Sequence, residues 1–401
     1  QSLSQGALAA MVSVDQPGLS PILLVKDTRL SLGDLAAHWR RKFSIPLAAI
    51  TGSNGKTTVK EMLTSILNAH SGDAGSVLAT QGNLNNDIGL PLTLLKLRQH
   101  HRYAVVEMGM NHTGEISYLT KISRPTVALI NNAASAHLGG LGSVEAIAKA
   151  KGEIFEGLAA DGVAVINADD AFAPLWKKLA APHKIMTFGL DSAADVTARY
   201  QLQADSSNVQ MQTPRGATEF HLPVSGPHNI CNALAAATVA LAMQIPLAAI
   251  AKGLASFGGV KGRLQHRTGI NNALVIDDTY NANPASMKAA IDVLAARSGE
   301  KLLVLGDMGE LGADAAKMHA EIGSYSKAAG IKTLYALGDL SRETVKAFGK
   351  GAQHYASPEA LIHDLVQSMK AQVTVLVKGS RFMRMERVVK LIVTDKTKEM
   401  H

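Results

Sequence analysis

Thr51-Gly52-Ser53-Asn54-Gly55-Lys56-Thr57-Thr58 constrains the fold more than any other stretch of this chain. Residues 47–50 before it are uniformly apolar and read as a short strand. After it, Val59, Met62, Leu63, Ile66 and Leu67 recur at the spacing of one helix face, predicting a helix over 56–69. Strand, glycine turn and amphipathic helix, in that order, form a phosphate-binding loop. Its backbone N–H groups and the helix N-terminus attract anions. Lys56 would reach the terminal phosphates, and the Thr57 hydroxyl would bind Mg²⁺. The loop is the short form G-x-x-G-K-T-T, because Ile50 stands where the longer motif has its first glycine. The competing reading is an ordinary glycine turn with a surface lysine. The strand–loop–helix setting argues against it.

The 401 residues suffice for two or three domains, and 47% apolar against 18% charged residues excludes a disordered chain. No apolar run approaches the roughly 18 residues of a membrane span, so membrane insertion is not expected. The single cysteine, Cys231, rules out a disulfide scaffold and cysteine-held zinc or iron–sulfur sites. With no leader-like pattern after Gln1, this predicts a reducing, cytoplasmic setting. The net charge of +7 is scattered, with no basic block and only 2 Trp, 7 Tyr and 8 Phe for stacking. Nucleic acid is therefore not the expected partner. A small anionic ligand accounts for the surplus.

The chain divides into residues 1–45, 46–266 and 267–401. The first part has an apolar run at 21–25 and a helix over 31–41, too little to bury a core alone. It reads as the end of a larger domain. The second adds strands at 103–107, 127–131 and 162–166, with helices over 143–158 and 229–242. Alternating strands and helices predict a mostly parallel sheet covered on both faces. Residues 201–222 alternate polar and apolar, as antiparallel strands or a hairpin do. The third part has strands at 274–277, 301–305, 333–337 and 373–377, with Pro284 opening a helix. It reads as a second, Rossmann-like α/β unit.

Several residues fall where such folds bind ligands. Glu107 ends a strand and could hold a metal or a water, or be a solvated strand-end acid. His137 lies in a loop after a strand; taken alone, a structural histidine is the better reading. Lys149 and Lys151 read as solvated helix lysines. Asn229 and Asn232, three apart on one helix face, could meet a purine edge, or Asn229 could cap the helix. Arg263 could stabilise a transferring phosphoryl group or be a surface arginine. Asp277 to Pro284, Gly306 to Gly312 and Lys378-Gly379-Ser380-Arg381 each follow a strand and should converge on one crevice. An acid in the first of these loops could bind ribose. Gly306 to Gly312 does not have the dinucleotide spacing.

Taken together, these stretches resemble the ATP-dependent Mur ligases of peptidoglycan synthesis. The resemblance rests on T-G-S-N-G-K-T-T, Gly82 to Gly89, Glu107 to His112, Ala136-His137-Leu138, Ala148 to Phe155, Gly226 to Ala233, Asp277 to Pro284, Gly306 to Gly312 and Lys378 to Arg381, in family order. The N-L-N-N-D-I-G, D-D-T-Y-N-A-N-P and K-G-S-R stretches favour the branch that joins D-Ala-D-Ala to UDP-N-acetylmuramoyl-tripeptide through an acyl phosphate. By resemblance, Gly52, Ser53, Asn54, Gly55, Lys56, Thr57 and Thr58 hold ATP. Thr57 and Glu107 bind one Mg²⁺, and His137 binds a second with Lys151, if that lysine is carbamylated. Asn229 and Asn232 approach adenine, Arg263 the γ-phosphate and Asp278 the ribose. Asn85, Asn86, Asn111, His112, Asn281, Asn283, Lys378 and Arg381 line the substrate side. Lys56, Lys151, His137 and Arg263 form the catalytic set of a monomeric enzyme. Residues 1–45 would be the remnant of a UDP-binding domain. A folylpolyglutamate-synthase-like ligase and a non-catalytic ATP-binding module are the alternatives.

Overall fold

The computed structural model describes residues 3–134 and 141–394. Residues 3–45 contribute a parallel pair, β1 (Ala10–Val12) and β2 (Ile22–Leu24), and helix α1 (Thr28–Arg40). The helix starts earlier than the apolar periodicity indicates. Asp27 accepts from the backbone N–H groups of Arg29 and Leu30 and so caps it. It ends at buried Arg40, whose Nε donates to the Ser123 carbonyl at 3.0 Å. Ala36 joins the core of the following sheet, so this segment packs on its neighbour and has no core of its own.

The central sheet comprises β3 (Leu47–Thr51), β4 (Val77–Ala79), β5 (Tyr103–Glu107), β6 (Val127–Ile130), β7 (Val163–Asn167) and β8 (Lys184–Phe188). Its order is β4-β5-β3-β6-β7-β8, all parallel. Strands β3, β6 and β7 are buried along their whole length, which is why they read as continuous apolar runs. The chain runs from β3 to the β4 edge, returns through β5, and then crosses to β6. Strand order therefore reverses at β3, which opens a crevice at its carboxyl end.

Helix α2 (Lys56–Ser71) covers one face of this sheet with the helices Pro227–Ala242 and Leu247–Ala255. Small residues let these helices approach closely. A Cβ on Gly253 would stand 2.3 Å from the Ile66 Cα. The other face is covered by α3 (Gly89–Leu94), α4 (Glu115–Ser123) and the helix Val144–Gly152. That last helix gives way to a 3-10 turn over Glu153–Gly157, so it is shorter than the 143–158 expected from periodicity. The alternating stretch forms an antiparallel sheet of β9 (Thr197–Leu202), β10 (Ser207–Thr213) and β11 (Gly216–Leu222).

The C-terminal sheet comprises β12 (Gln265–Thr268), β13 (Leu274–Asp278), β14 (Glu300–Gly306), β15 (Thr333–Leu337), β16 (Ala352–Tyr355) and β17 (Val373–Lys378). Its order is β12-β13-β17-β14-β15-β16, and only β12 runs antiparallel. Because β17 inserts between β13 and β14, the loops after those three strands emerge side by side. The short edge strands β4, β12 and β16 are not singled out by the sequence. Three or four residues carry too little periodicity to stand out.

Candidate active site

The carboxyl ends of the two large sheets face one cavity of about 1480 Å³. Ser53, Asn54, Gly55, Lys56 and Thr58 line one side of it. Gly55 is the N-cap of α2 with φ +80°, and no side chain caps that helix, so its first amides are left for a ligand. A Cβ on Gly55 would come within 2.3 Å of Asn232 Oδ1 and 2.5 Å of Asn131 Nδ2. Gly55→Ala should therefore lose roughly 1–3 kcal/mol of stability and most of its nucleotide affinity. Thermal melting and ADP titration calorimetry on the variant check both effects.

Lys56 Nζ donates to the Gly52 carbonyl at 2.6 Å, closing the loop on itself. Burial lowers the Lys56 pKa most; Glu107 opposes that shift and Arg263 adds to it. The Thr57 hydroxyl donates to Glu107 Oε2 at 2.9 Å, and Asn85 Nδ2 donates to Glu107 Oε1 at 2.9 Å. Glu107 is buried, so it is not a solvated strand-end acid. Arg263 Nη2 reaches Thr57 Oγ1 at 3.0 Å, and its guanidinium lies over the Tyr280 ring at 4.3 Å. Its Nε is buried with no hydrogen-bond partner among the described residues. Arg263 is thus not a free surface arginine.

The donor set around Thr57 suits Mg²⁺. A hydroxyl beside one carboxylate gives few hard oxygen ligands, and Mg²⁺ keeps waters and takes substrate phosphates for the rest. Among the described residues no cluster of three His, Cys, Asp or Glu side chains gathers, so they offer no all-protein cage. His137 lies outside the described residues. Lys151 is 2% exposed, and burial together with the Lys56 charge pushes its pKa well down. Its reading as a solvated helix lysine does not hold. Lys149, two residues earlier, has a side chain 62% exposed and pairs with Glu145.

Asn229 and Asn232 are buried and line the cavity. The helix begins at Pro227 with Gly226 as N-cap, so Asn229 does not cap it. Its Nδ2 donates back to the Ser225 carbonyl at 2.8 Å. On the opposite wall, Asp278 Oδ2 accepts from buried Lys378 Nζ at 2.6 Å, and Oδ1 accepts from the Leu264 N–H at 3.2 Å. Lys378 also donates to the Asn281 carbonyl at 2.9 Å. Arg381 is exposed and pairs with Glu386 at 3.1 Å.

Asn85, Asn86, Asn111, Asn281 and Asn283 line the cavity too. Asn86 Oδ1 accepts from Gly89 N at 2.8 Å at the start of α3. His112 is not among the cavity-lining residues, and its 71% exposed side chain faces Glu115.

Four cavity residues escape the sequence reading as individuals. Asn132 Oδ1 accepts from Asn54 N at 2.8 Å, and Asn131 Nδ2 donates to the Asn54 carbonyl and to Asn232 Oδ1, each at 3.0 Å. Tyr280 supports Arg263, and burial lowers the His228 pKa. Only their positions at strand and helix ends could have marked them.

Residues 50–240 match the family model described as Mur ligase middle domain, and residues 262–381 that described as Mur ligase, glutamate ligase domain. Over 396 residues the chain is 44% identical to the UDP-N-acetylmuramoyl-tripeptide–D-alanyl-D-alanine ligase of Escherichia coli K12, covering 98% of this chain and 86% of that protein. It is similar to a crystal structure of MurF from Acinetobacter baumannii, with a TM-score of 0.91, 39% identity, and coverage of 97% and 85%. MurF from Thermotoga maritima, in complex with ADP, gives a TM-score of 0.86 at 29% identity, with coverage of 97% and 89%.

Proposed function

The chain belongs to the Mur ligase family, and on that premise we infer that it is an ATP-dependent amide ligase joining D-alanyl-D-alanine to UDP-N-acetylmuramoyl-tripeptide. One observation carries this reading. A single cavity places a lysine-bearing phosphate loop and a buried carboxylate opposite the cations of a second α/β unit.

A carboxylate does not accept an amine directly, because oxide is a hopeless leaving group. A carboxylate oxygen of the tripeptide attacks the γ-phosphorus of ATP, the bond to the β-phosphate oxygen breaks, and ADP departs. The dipeptide nitrogen then attacks the acyl carbon, the carbon–oxygen bond to phosphate breaks, and the amide forms with loss of a proton. Phosphoryl transfer needs positioning and charge neutralisation more than a protein nucleophile. Lys56, the loop amides and Arg263 supply both. Asn229 and Asn232 are assigned to the adenine, Asp278 to the ribose, and Asn85, Asn86, Asn111, Asn281, Lys378 and Arg381 to the substrate side. Thr57 and Glu107 would hold one Mg²⁺, and His137 with Lys151 a second, to neutralise phosphate charge.

We assign the second metal site to a carbamylated Lys151. Its depressed pKa favours the neutral amine, which adds to CO₂ to give a carbamate and one proton. That converts a buried amine into an anion suited to a metal. Modification should rise with pH, because forming the carbamate releases a proton. Carbon-13 NMR in labelled bicarbonate should show a carbamate signal that is absent from Lys151→Ala. A fully active enzyme without that signal would overturn the assignment.

The separate sheets support a three-part division, but with the second boundary ahead of β12 (Gln265–Thr268), which pairs with β13, rather than at 266/267. Residues 1–45 are assigned to the UDP side of the substrate, which a UDP titration tests. We place the enzyme in the cytoplasm as a monomer, since both walls of the cavity come from one chain. Among the described residues no helix is long and apolar enough to cross a membrane.

The deciding measurement is phosphate release with ATP, the UDP-tripeptide and D-Ala-D-Ala together. Release that needs all three supports the reading. Nucleotide binding without substrate-dependent release would favour a non-catalytic module, and release with another amine acceptor a different ligase.

A further inference from the structure

Asn283 sits between the two halves of the cavity, and its amide is divided between them. It is the N-cap of the helix Pro284–Ala295. Asn283 Oδ1 accepts from Ser286 N at 2.9 Å, while Ser286 Oγ accepts from Asn283 N at 3.0 Å. This reciprocal box fixes which end of the amide is oxygen, because a flipped amide would set N–H against N–H. The Nδ2 end must therefore point away from its own helix. There it donates to Asn54 Oδ1 at 2.8 Å, across 229 residues of sequence.

Asn54 is the middle of the phosphate loop, and its backbone is already held within the central unit. Its N–H donates to Asn132, and its carbonyl accepts from Asn131 and from Asn132 Nδ2 at 3.2 Å. The side-chain bond to Asn283 leaves that unit. A second cross-unit contact lies away from the cavity, where Asp205 meets His266 at 3.1 Å and Arg297. Among the described residues, the Asn283 bond joins the helix Pro284–Ala295 of the C-terminal unit to the middle of the turn that would wrap the phosphates.

We propose that Asn283 is a positioning residue that couples placement of the C-terminal unit to the shape of the phosphate loop. With the two units in this arrangement, Asn54 is held from both sides and the loop is preorganised for nucleotide. When the units separate, Asn54 loses its outer partner and the loop binds more weakly. This assignment differs from the substrate-contacting role expected for Asn283 from resemblance. It rests on reading residues 52–58 as the phosphate loop.

The test is a double-mutant cycle on the full chain with Asn283→Ser and Asn54→Ala, read by ADP titration calorimetry and by the KM for ATP. Serine caps a helix about as well as asparagine, so Asn283→Ser should keep its melting temperature. Its hydroxyl, sited one atom from Cβ, lacks the reach to Asn54 while it caps the helix. Each single variant should weaken ADP binding by about 3- to 10-fold, the worth of one neutral hydrogen bond. The double variant should be no weaker than the worse single. Effects that multiply in the double variant, or unchanged ADP affinity in Asn283→Ser, would overturn the coupling. Absence of ADP binding by the wild-type chain would bring down the phosphate-loop reading itself, and this inference with it.

Discussion

Lys56→Ala should reduce ATP-dependent phosphate release by about a thousandfold while leaving the fold intact. The loss follows from where charge builds up. The transferring phosphoryl group spreads negative charge over its oxygens, and removing one preorganised donor aimed at such charge costs roughly a hundred- to a thousandfold. Stability should not follow activity. Lys56 opens α2, a position where alanine is a good helix former. Burial is the main cost of its charge, which Glu107 offsets in part and which Arg263 and Lys151 oppose. Removing it relieves the burial of that charge and loses the Glu107 attraction and the Gly52 hydrogen bond, so the melting temperature should stay near the wild-type value. A coupled assay for phosphate together with thermal melting decides the matter. Normal turnover in the variant would refute the assignment of residues 52–58.

The second large effect is expected at Arg263. Arg263→Ala should lower kcat by about a thousandfold, in the lower range for arginines that stabilise phosphoryl transfer. Arg263→Lys should recover little. The guanidinium serves two partners at once, donating to Thr57 Oγ1 and stacking on Tyr280. An ammonium can neither stack as a plane nor present the same fork. If charge alone mattered, lysine would restore most of the activity. Steady-state kcat for both variants separates the two accounts. A lysine variant near wild-type rate would reduce Arg263 to a diffuse positive charge.

Local pattern made much of the fold legible. The apolar strands β3, β5, β6 and β17 and the face of α2 follow from burial on one or both sides, which writes itself into consecutive or periodic residues. Pro284 marked the start of its helix because its fixed φ suits the first turn. Helix ends were less legible. Asp27 caps α1 ahead of the apolar pattern, and Gly226 rather than Asn229 caps the helix at Pro227.

Lys149 and Lys151 show where the sequence falls silent. They are the same residue type in the same helix, two positions apart. Two positions turn a helix by about 200°, so one side chain is in solvent and the other is buried, within electrostatic reach of Lys56. Which face turns inward depends on the sheet that the helix packs against. The same holds for Asp278, neutralised by Lys378 from the neighbouring strand.

By itself, then, the sequence determined the phosphate loop, the alternation of strands and helices, and the family to which their order belongs. These are properties of near neighbours along the chain. Only the tertiary structure decided that β17 lies between β13 and β14, that Lys151 is buried, and that Asn54 meets Asn283. Each of these depends on which distant surfaces bury one another, and no local spacing records that choice.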